Sequence, residues 1–199
     1  MYELTRANEA HLHDLAELVS TTGAYRKAVV ENKMSVSYQD WMDRFLLPPL
    51  IQFSWVLLDN SRHDRVTGIL ICGPLANISL RPDLSGHLSD TIVDELVAPI
   101  RELDIPDGFF IHSLAVRPDM PGKGLGRRLF IEAESLASQS DCTDNLSLTV
   151  WSNDVKAIRL YHSMGMIVTD LVKTKVATFP PLLLMEKTPK FLTYEELCA

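Results

Sequence analysis

The 199-residue sequence predicts an α+β fold, a β-sheet with helices packed against it. Three observations carry that prediction. Residues 109–116 (FFIHSLAV) are too few for a helix and bulky enough for a buried strand, and a glycine-rich turn and an amphipathic helix follow them. Two apolar runs, 53–58 and 66–72, flank a polar turn as the arms of a hairpin do. Between residues 146 and 187, strand patterns alternate with one further helix.

Taken in order, residues 1–7 predict a first strand, and Asn8 caps a helix carrying Leu12, Leu15, Ala16 and Val19 on one face. His11 and His13 lie two apart, so they point to different faces of that helix and make a poor metal pair. Ser37 reads as a second helix start, with Trp41, Phe45 and Leu46 as its apolar face. Leu47-Pro48-Pro49-Leu50 is expected to end it. The hairpin follows, its turn running from Asp59 to Asp64, and Gly73-Pro74 closes its second strand. A helix is expected over 89–103, with Ile92, Val93, Leu96, Val97 and Ile100 inward and Pro99 kinking its last turns. After the strand at 109–116, Arg117-Pro118-Asp119 breaks the extended chain. Leu125, Leu129, Ala133, Leu136 and Ala137 then recur at spacings of three and four, which is one helix face.

The polar run 138–145 is a loop, and LSLTVW at 146–151 alternates as a strand should. Asn153 is expected to cap a helix over 154–164, with Ala157, Ile158, Leu160 and Tyr161 available to pack. Gly165 stands where a left-handed residue ends a helix. Two more strands fit at 166–174 and 182–187. No repeat, low-complexity tract or linker interrupts the chain, so a single domain is expected over 1–199, with an extra helical segment at about 74–105.

Composition excludes several classes. The 46% hydrophobic and 23% charged content is that of a soluble globular chain. No apolar run approaches the roughly 20 residues a membrane span needs, and MYELTRANEAHLHDL is not expected to be a signal peptide. Cys72, Cys142 and Cys198 are an odd, widely spaced set that suits a reducing cytoplasm rather than disulfides. A net charge of −7 argues against nucleic-acid binding. Within residues 117–128, however, Arg117, Lys123, Arg127 and Arg128 against Asp119 leave a local charge of +3, a patch suited to phosphates.

Strand, glycine-rich turn and helix together make a geometry for anions. Glycines let a ligand approach the backbone, and the helix start offers free N–H groups and a positive dipole end. Three phosphate motifs compete for the turn. A P-loop would need Gly at Arg117 and Ser or Thr at Gly124, and a dinucleotide fingerprint would need Gly at Arg127. The third fits. Val116, Pro118 and Pro121-Gly122-Lys123-Gly124-Leu125-Gly126 resemble motif A of the GNAT N-acetyltransferase superfamily, with Pro121 in place of the usual Arg or Gln. The run VWSNDVKAIRLYHSMGM resembles the same family's motif B, with Asn153, Ala157, Tyr161 and Gly165 in the motif positions. LLLMEK at 182–187 is similar to its closing strand, so the core motifs cover 109–187.

The resemblance implies a GNAT-like fold: a mixed central sheet flanked by helices on both faces, with strands 4 and 5 splayed. It implies acetyl-CoA as acetyl donor, held by Leu114, Ala115, Val116, Pro121, Gly122, Lys123, Gly124, Leu125, Gly126, Arg127, Asn153, Ala157 and Tyr161, and no metal. The Leu114 backbone N–H is the implied oxyanion donor and Tyr161 the implied general acid toward the CoA thiolate. Many relatives carry a glutamate base on the central strand, and here none lies between Gly108 and Pro118. His112 is the one titratable side chain on the strand 109–116, and it shares side-chain parity with Leu114 and Val116 unless a bulge intervenes. Water relaying the proton to a backbone carbonyl is the other candidate base. No cysteine lies on either motif, which favours direct transfer in a ternary complex to a primary amine, small molecule or peptide. A non-catalytic CoA-binding module is the alternative reading, kept open by Pro121 and the missing glutamate. The family's habit of pairing makes a homodimer an expectation.

Overall fold

A computed structural model describes residues 1–22, 31, 37–78, 99–100, 102–140, 145–173 and 179–187, apart from the Phe45 side chain. The expected strand–helix start is present. β1 spans Tyr2–Arg6, and Asn8 Oδ1 accepts from the Ala10 N–H at 3.0 Å to open a 3-10 turn at Glu9–His11. His11 closes that cap by accepting the Asn8 N–H on Nδ1 at 3.1 Å, which gives this histidine a structural role. α1 follows at Leu12–Thr22.

Ser37 caps the next helical run, its hydroxyl accepting the Asp40 N–H at 3.1 Å. This run, α2, is Tyr38–Trp41, then a π-turn at Met42–Leu46, then Leu47–Leu50. The run ends at Leu50, within the segment expected to end it, although both prolines lie inside the helix. Pro48 falls in the first turn of a restarted α segment, where no N–H is needed, and the wider turn before it is closed by Leu47 N–H donating to Met42 C=O.

β2 (Ser54–Asp59) and β3 (Arg65–Pro74) form the hairpin, turned by a 3-10 segment and by His63 and Asp64 at φ 53° and 56°. β3 runs two residues past the expected end, because Gly73 and Pro74 still pair with Phe110 and Phe109. The remaining elements are β4 (Phe109–Val116), α3 (Leu125–Ser138), β5 (Leu146–Trp151), α4 (Val155–Ser163), β6 (Ile167–Val172) and β7 (Leu182–Lys187). Most of the helix expected over 89–103 lies outside the described residues, as do Cys142 and Cys198. Among the described residues, no helix is long and apolar enough to cross a membrane.

The strands form one mixed sheet in the order β1-β2-β3-β4-β5-β7-β6, with β4 and β5 parallel. Period-two alternation divides its side chains between two faces. Val56, Ile69 and Ile71 pack with Leu15, Leu18, Trp41 and Leu47 of α1 and α2. Leu57 and Leu70 point the other way, toward Leu129 and Phe130 of α3 and Tyr161 of α4. Helices therefore cover both faces, as expected.

Two irregularities in β4 position the site. Its pairing with β5 covers three residue pairs, Phe109 with Leu146 to Ile111 with Leu148, and both strands then continue unpaired to one another. On its other side, Ser113 stands opposite Ile71 and Ile111 opposite Cys72, so His112 is an extra residue bulged out of the β3 ladder. A bulge does intervene at His112, so the parity of a regular strand does not carry across it. Ile111 shares the α3-side core with Leu114 and Val116, while Ala115 belongs to the α1 side.

Candidate active site

Where β4 parts from β5, a cleft of about 430 Å³ enters the sheet. Ile111, His112, Ser113 and Leu114 form one wall, and Leu148 to Trp151 the other. Asn153, Asp154, Ala157 and Tyr161 line the side toward α4. On the opposite side are Val19, Thr21 and Thr22 from the end of α1, with Pro99 and Ile100. The cleft thus connects the two faces of the sheet through the gap between the strands.

The glycine turn carries the local geometry an anion needs. Gly122 and Gly124 have φ of 73° and 69°, a region that strains other residues, and a Cβ built on either meets no atom within 4 Å. Gly124 is the N-cap of α3, and the first helical bond beyond it runs from the Arg128 N–H to the Gly124 carbonyl at 3.0 Å. The N–H groups of Leu125, Gly126 and Arg127 are therefore left at the helix start. Pro121 supplies no N–H. Gly126 has another purpose: a Cβ there would lie 3.2 Å from Leu160 Cδ2, so its absence lets α3 approach α4.

The cationic patch is smaller than the sequence suggests. Arg117 is tied to Asp14, Glu17 and the Val66 carbonyl, and Asp119 pairs with Arg65 at 3.0 Å. Lys123 and Arg127 stay exposed beside the turn, with Lys123 Nζ 3.4 Å from the Tyr2 hydroxyl.

Tyr161 is 7% exposed, its ring 5.9 Å from that of Phe130 and tilted by 40°. Burial, and secondarily the negative charge of Asp154, push its hydroxyl well above the usual phenol range, so it is protonated at neutral pH. The cap of α4 is Asp154 and not Asn153: Asp154 Oδ1 accepts the Ala157 N–H at 3.0 Å. Asn153 is left to line the cleft. The helix ends as expected at Gly165, φ 88°, where the Met166 N–H donates to the Tyr161 carbonyl and the Gly165 N–H to that of His162, both at 3.0 Å.

His112 Nδ1 lies 3.0 Å from the hydroxyl of buried Ser113. Leu114 lines the cleft in the part of β4 with no β5 partner. Of the residues singled out in the sequence, His112, Leu114, Asn153, Ala157 and Tyr161 come together in the cleft, while Ala115 turns its side chain to the α1-side core. Ser113, Thr149, Trp151 and Asp154 also line it and carried no signal of their own. Among the described residues, no group of His, Cys, Asp or Glu is arranged to hold a metal ion.

Residues 77–166 match the family model described as the acetyltransferase (GNAT) family. Over this stretch the chain is similar to the GNAT acetyltransferases. No curated protein matches the sequence. Among solved structures, an N-acetyltransferase from Staphylococcus aureus Mu50 superposes with a TM-score of 0.70 at 15% identity, covering 93% of this chain and 100% of that one. Arylalkylamine N-acetyltransferase 2 from Aedes aegypti gives 0.65 at 14%, covering 94% and 98%. A chain of the NatC complex bound to Gag peptide and CoA gives 0.56 at 14%, with the same coverages. At these identities the likeness is one of fold, and in this chain β4 and β5 part after three residue pairs, as the resemblance implied.

Proposed function

We propose that this protein transfers an acetyl group from acetyl-CoA to a primary amine by direct attack in a ternary complex. The observation that carries this reading is the cleft itself. It opens at the parting of β4 and β5, with the protonated Tyr161 toward α4 and His112 and Leu114 on β4. CoA in one solved GNAT relative and acetyl-CoA in another support the choice of donor.

Acetyl-CoA supplies an acetyl thioester. The backbone N–H groups between Gly122 and Arg127 hold its pyrophosphate, Pro121 flanks them, and Lys123 and Arg127 add charge around it. The open space at Gly122 and Gly124 fits that role. Ala115 and Val116 offer backbone to the pantetheine arm, and Asn153 and Ala157 line its way into the cleft. The Leu114 N–H donates to the carbonyl oxygen as charge grows there, and such a donor is worth about 2.7–4 kcal/mol. His112 takes a proton from the attacking amine while Tyr161 gives one to the departing sulfur. A nitrogen–carbon bond forms as the carbon–sulfur bond breaks, and exchange with solvent restores both side chains. The acceptor enters from the side of Thr21, Thr22 and Ile100. One fold relative holds a peptide and another is an arylalkylamine enzyme, so both amine classes belong in the test.

The test is thiol release from acetyl-CoA across a panel of amines and peptide N-termini, alongside titration calorimetry with coenzyme A. Turnover with at least one amine is expected. Tight CoA binding without turnover on any amine would favour a non-catalytic binding module, the reading that Pro121 and the glutamate-free strand keep in play. Absence of any binding heat from folded protein would overturn both.

A further inference from the structure

A ligand that enters the cleft from the α1 side meets apolar side chains. Ile100 and Trp151 pack against the buried cluster that holds Leu182, and all three line the cleft. Trp151 and Leu182 stand opposite one another in the β5–β7 pair, so they share a face of the sheet. Val19 adds to this wall from α1. Thr21 and Thr22 lie at the same end, but their hydroxyls donate to the Leu18 and Val19 carbonyls at 2.7 and 2.9 Å, so those protons are used within the helix. The wall is also held from behind. The Trp151 ring lies 6.0 Å from that of Phe179, tilted by 47°. Leu103, buried beside Leu182, donates its N–H to the Ile100 carbonyl at 3.2 Å, and the Asp104 N–H donates to the Asp170 carboxylate on β6 at 3.3 Å. Ile100 is thus anchored to the β6–β7 end of the sheet.

We propose that Ile100, Trp151 and Leu182 are specificity-determining residues that receive a bulky apolar group carried next to the reacting amine. The inference rests on the acyl transfer proposed above. Such an acceptor is an arylalkylamine or a peptide N-terminus with a large apolar first residue. A preformed apolar wall rewards its burial at little ordering cost. A charged group in the same place loses its water and gains no counter-ion from these side chains, so a diamine is a poor acceptor. The reacting amine benefits as well, because apolar surroundings disfavour its ammonium form and the neutral form is the one that attacks.

The experiment measures kcat/KM for phenethylamine, ethanolamine and putrescine, and for peptides beginning with Phe or with Gly. Calorimetry follows binding of the same compounds to the coenzyme A complex, a readout that needs no turnover. Phenethylamine over ethanolamine, or the Phe peptide over the Gly peptide, should be preferred by about tenfold or more, mostly through KM. The pair that shows the preference identifies the source of the apolar group. Ile100→Glu and Trp151→Ala, checked for folding by circular dichroism, should each reduce that ratio roughly tenfold with acetyl-CoA affinity unchanged, and Ile100→Glu should improve putrescine. Ile100→Ala, the milder change, should lower the ratio in the same direction and carries the test if either of the others fails to fold. Turnover or binding with no apolar preference, or a preference that survives these variants, would overturn the inference and leave acetyl transfer standing. An apolar preference in calorimetry without turnover of any compound would support the wall and count against the transfer. Binding of none of the compounds would overturn the wall's role outright.

Discussion

Arg117 Nη2 donates to the Asp14 carboxylate at 2.6 Å, joining residues 103 positions apart. Its Nη1 reaches Glu17 at 3.0 Å and its Nε the Val66 carbonyl at 2.6 Å. This guanidinium pins α1 to the end of β4, and the far end of α1 lines the cleft. With the Arg117 side chain 13% exposed but Asp14 31% and Glu17 52%, solvent shares part of the interaction. Arg117→Met, which keeps the stem, should therefore cost about 1–3 kcal/mol in urea unfolding. Calorimetry should find CoA affinity close to wild type, because the residue faces α1 and not the glycine turn. A large loss of affinity in a stable variant would return Arg117 to the phosphate site.

Asp154 and Asn153 are adjacent and have different tasks. Asp154→Ala removes the bond to the Ala157 N–H and should destabilise the protein by about 1 kcal/mol, the usual cost of an N-cap. Asn153→Ala leaves the cap intact and should weaken acetyl-CoA binding while the unfolding midpoint stays put. Thermal melts and calorimetry on the pair check this. Equal loss of stability in both would mean that the cap is shared.

Local patterns made much of the fold legible. Two apolar runs around a polar turn marked the hairpin, Asn8 and Ser37 marked helix starts, and Gly165 marked a helix end, because each acts on neighbours within a few residues. Asn153, Ala157 and Tyr161 of the second motif line the cleft, whereas the glycine turn of the first does not. What stayed hidden depended on distant chain or on a change of register. FFIHSLAV reads as a continuous strand, and only pairing with β3 reveals that His112 is extra. Arg117 looked like a phosphate ligand since its carboxylate partners lie on α1, far back in the sequence. Asn153 and Asp154 are nearly equal as caps, and propensity could not rank them.

Gly124 joins backbone freedom to binding. At φ 69° a side chain is strained by roughly 1–2 kcal/mol, and its Cβ would project into the open space beside the helix start. Gly124→Val should lower CoA affinity by tenfold or more, equivalent to at least about 1.4 kcal/mol. Gly126→Ala is the comparison. Its Cβ presses on Leu160 at 3.2 Å, so it should tax the α3–α4 packing more than the ligand. Normal CoA binding by folded Gly124→Val would show that the turn does not hold the pyrophosphate.

Tyr161 makes a prediction for rate and another for stability. Tyr161→Phe keeps the ring beside Phe130 and removes the proton, so kcat should fall roughly 10- to 1000-fold with little change in CoA affinity. An unchanged kcat would take Tyr161 out of the chemistry. Burial raises the folded pKa above the ordinary value of 10.0. The unfolded chain therefore releases this proton first as pH rises. Stability contributed by the neutral phenol is complete below about pH 10 and declines above it, through the interval up to the folded value. Urea midpoints above pH 10 should fall more steeply for wild type than for Tyr161→Phe. The rate profile of the wild type should show no basic limb from Tyr161 below that pH. A tyrosine absorbance titration that assigns Tyr161 an ordinary phenol pKa would contradict the burial on which both expectations stand.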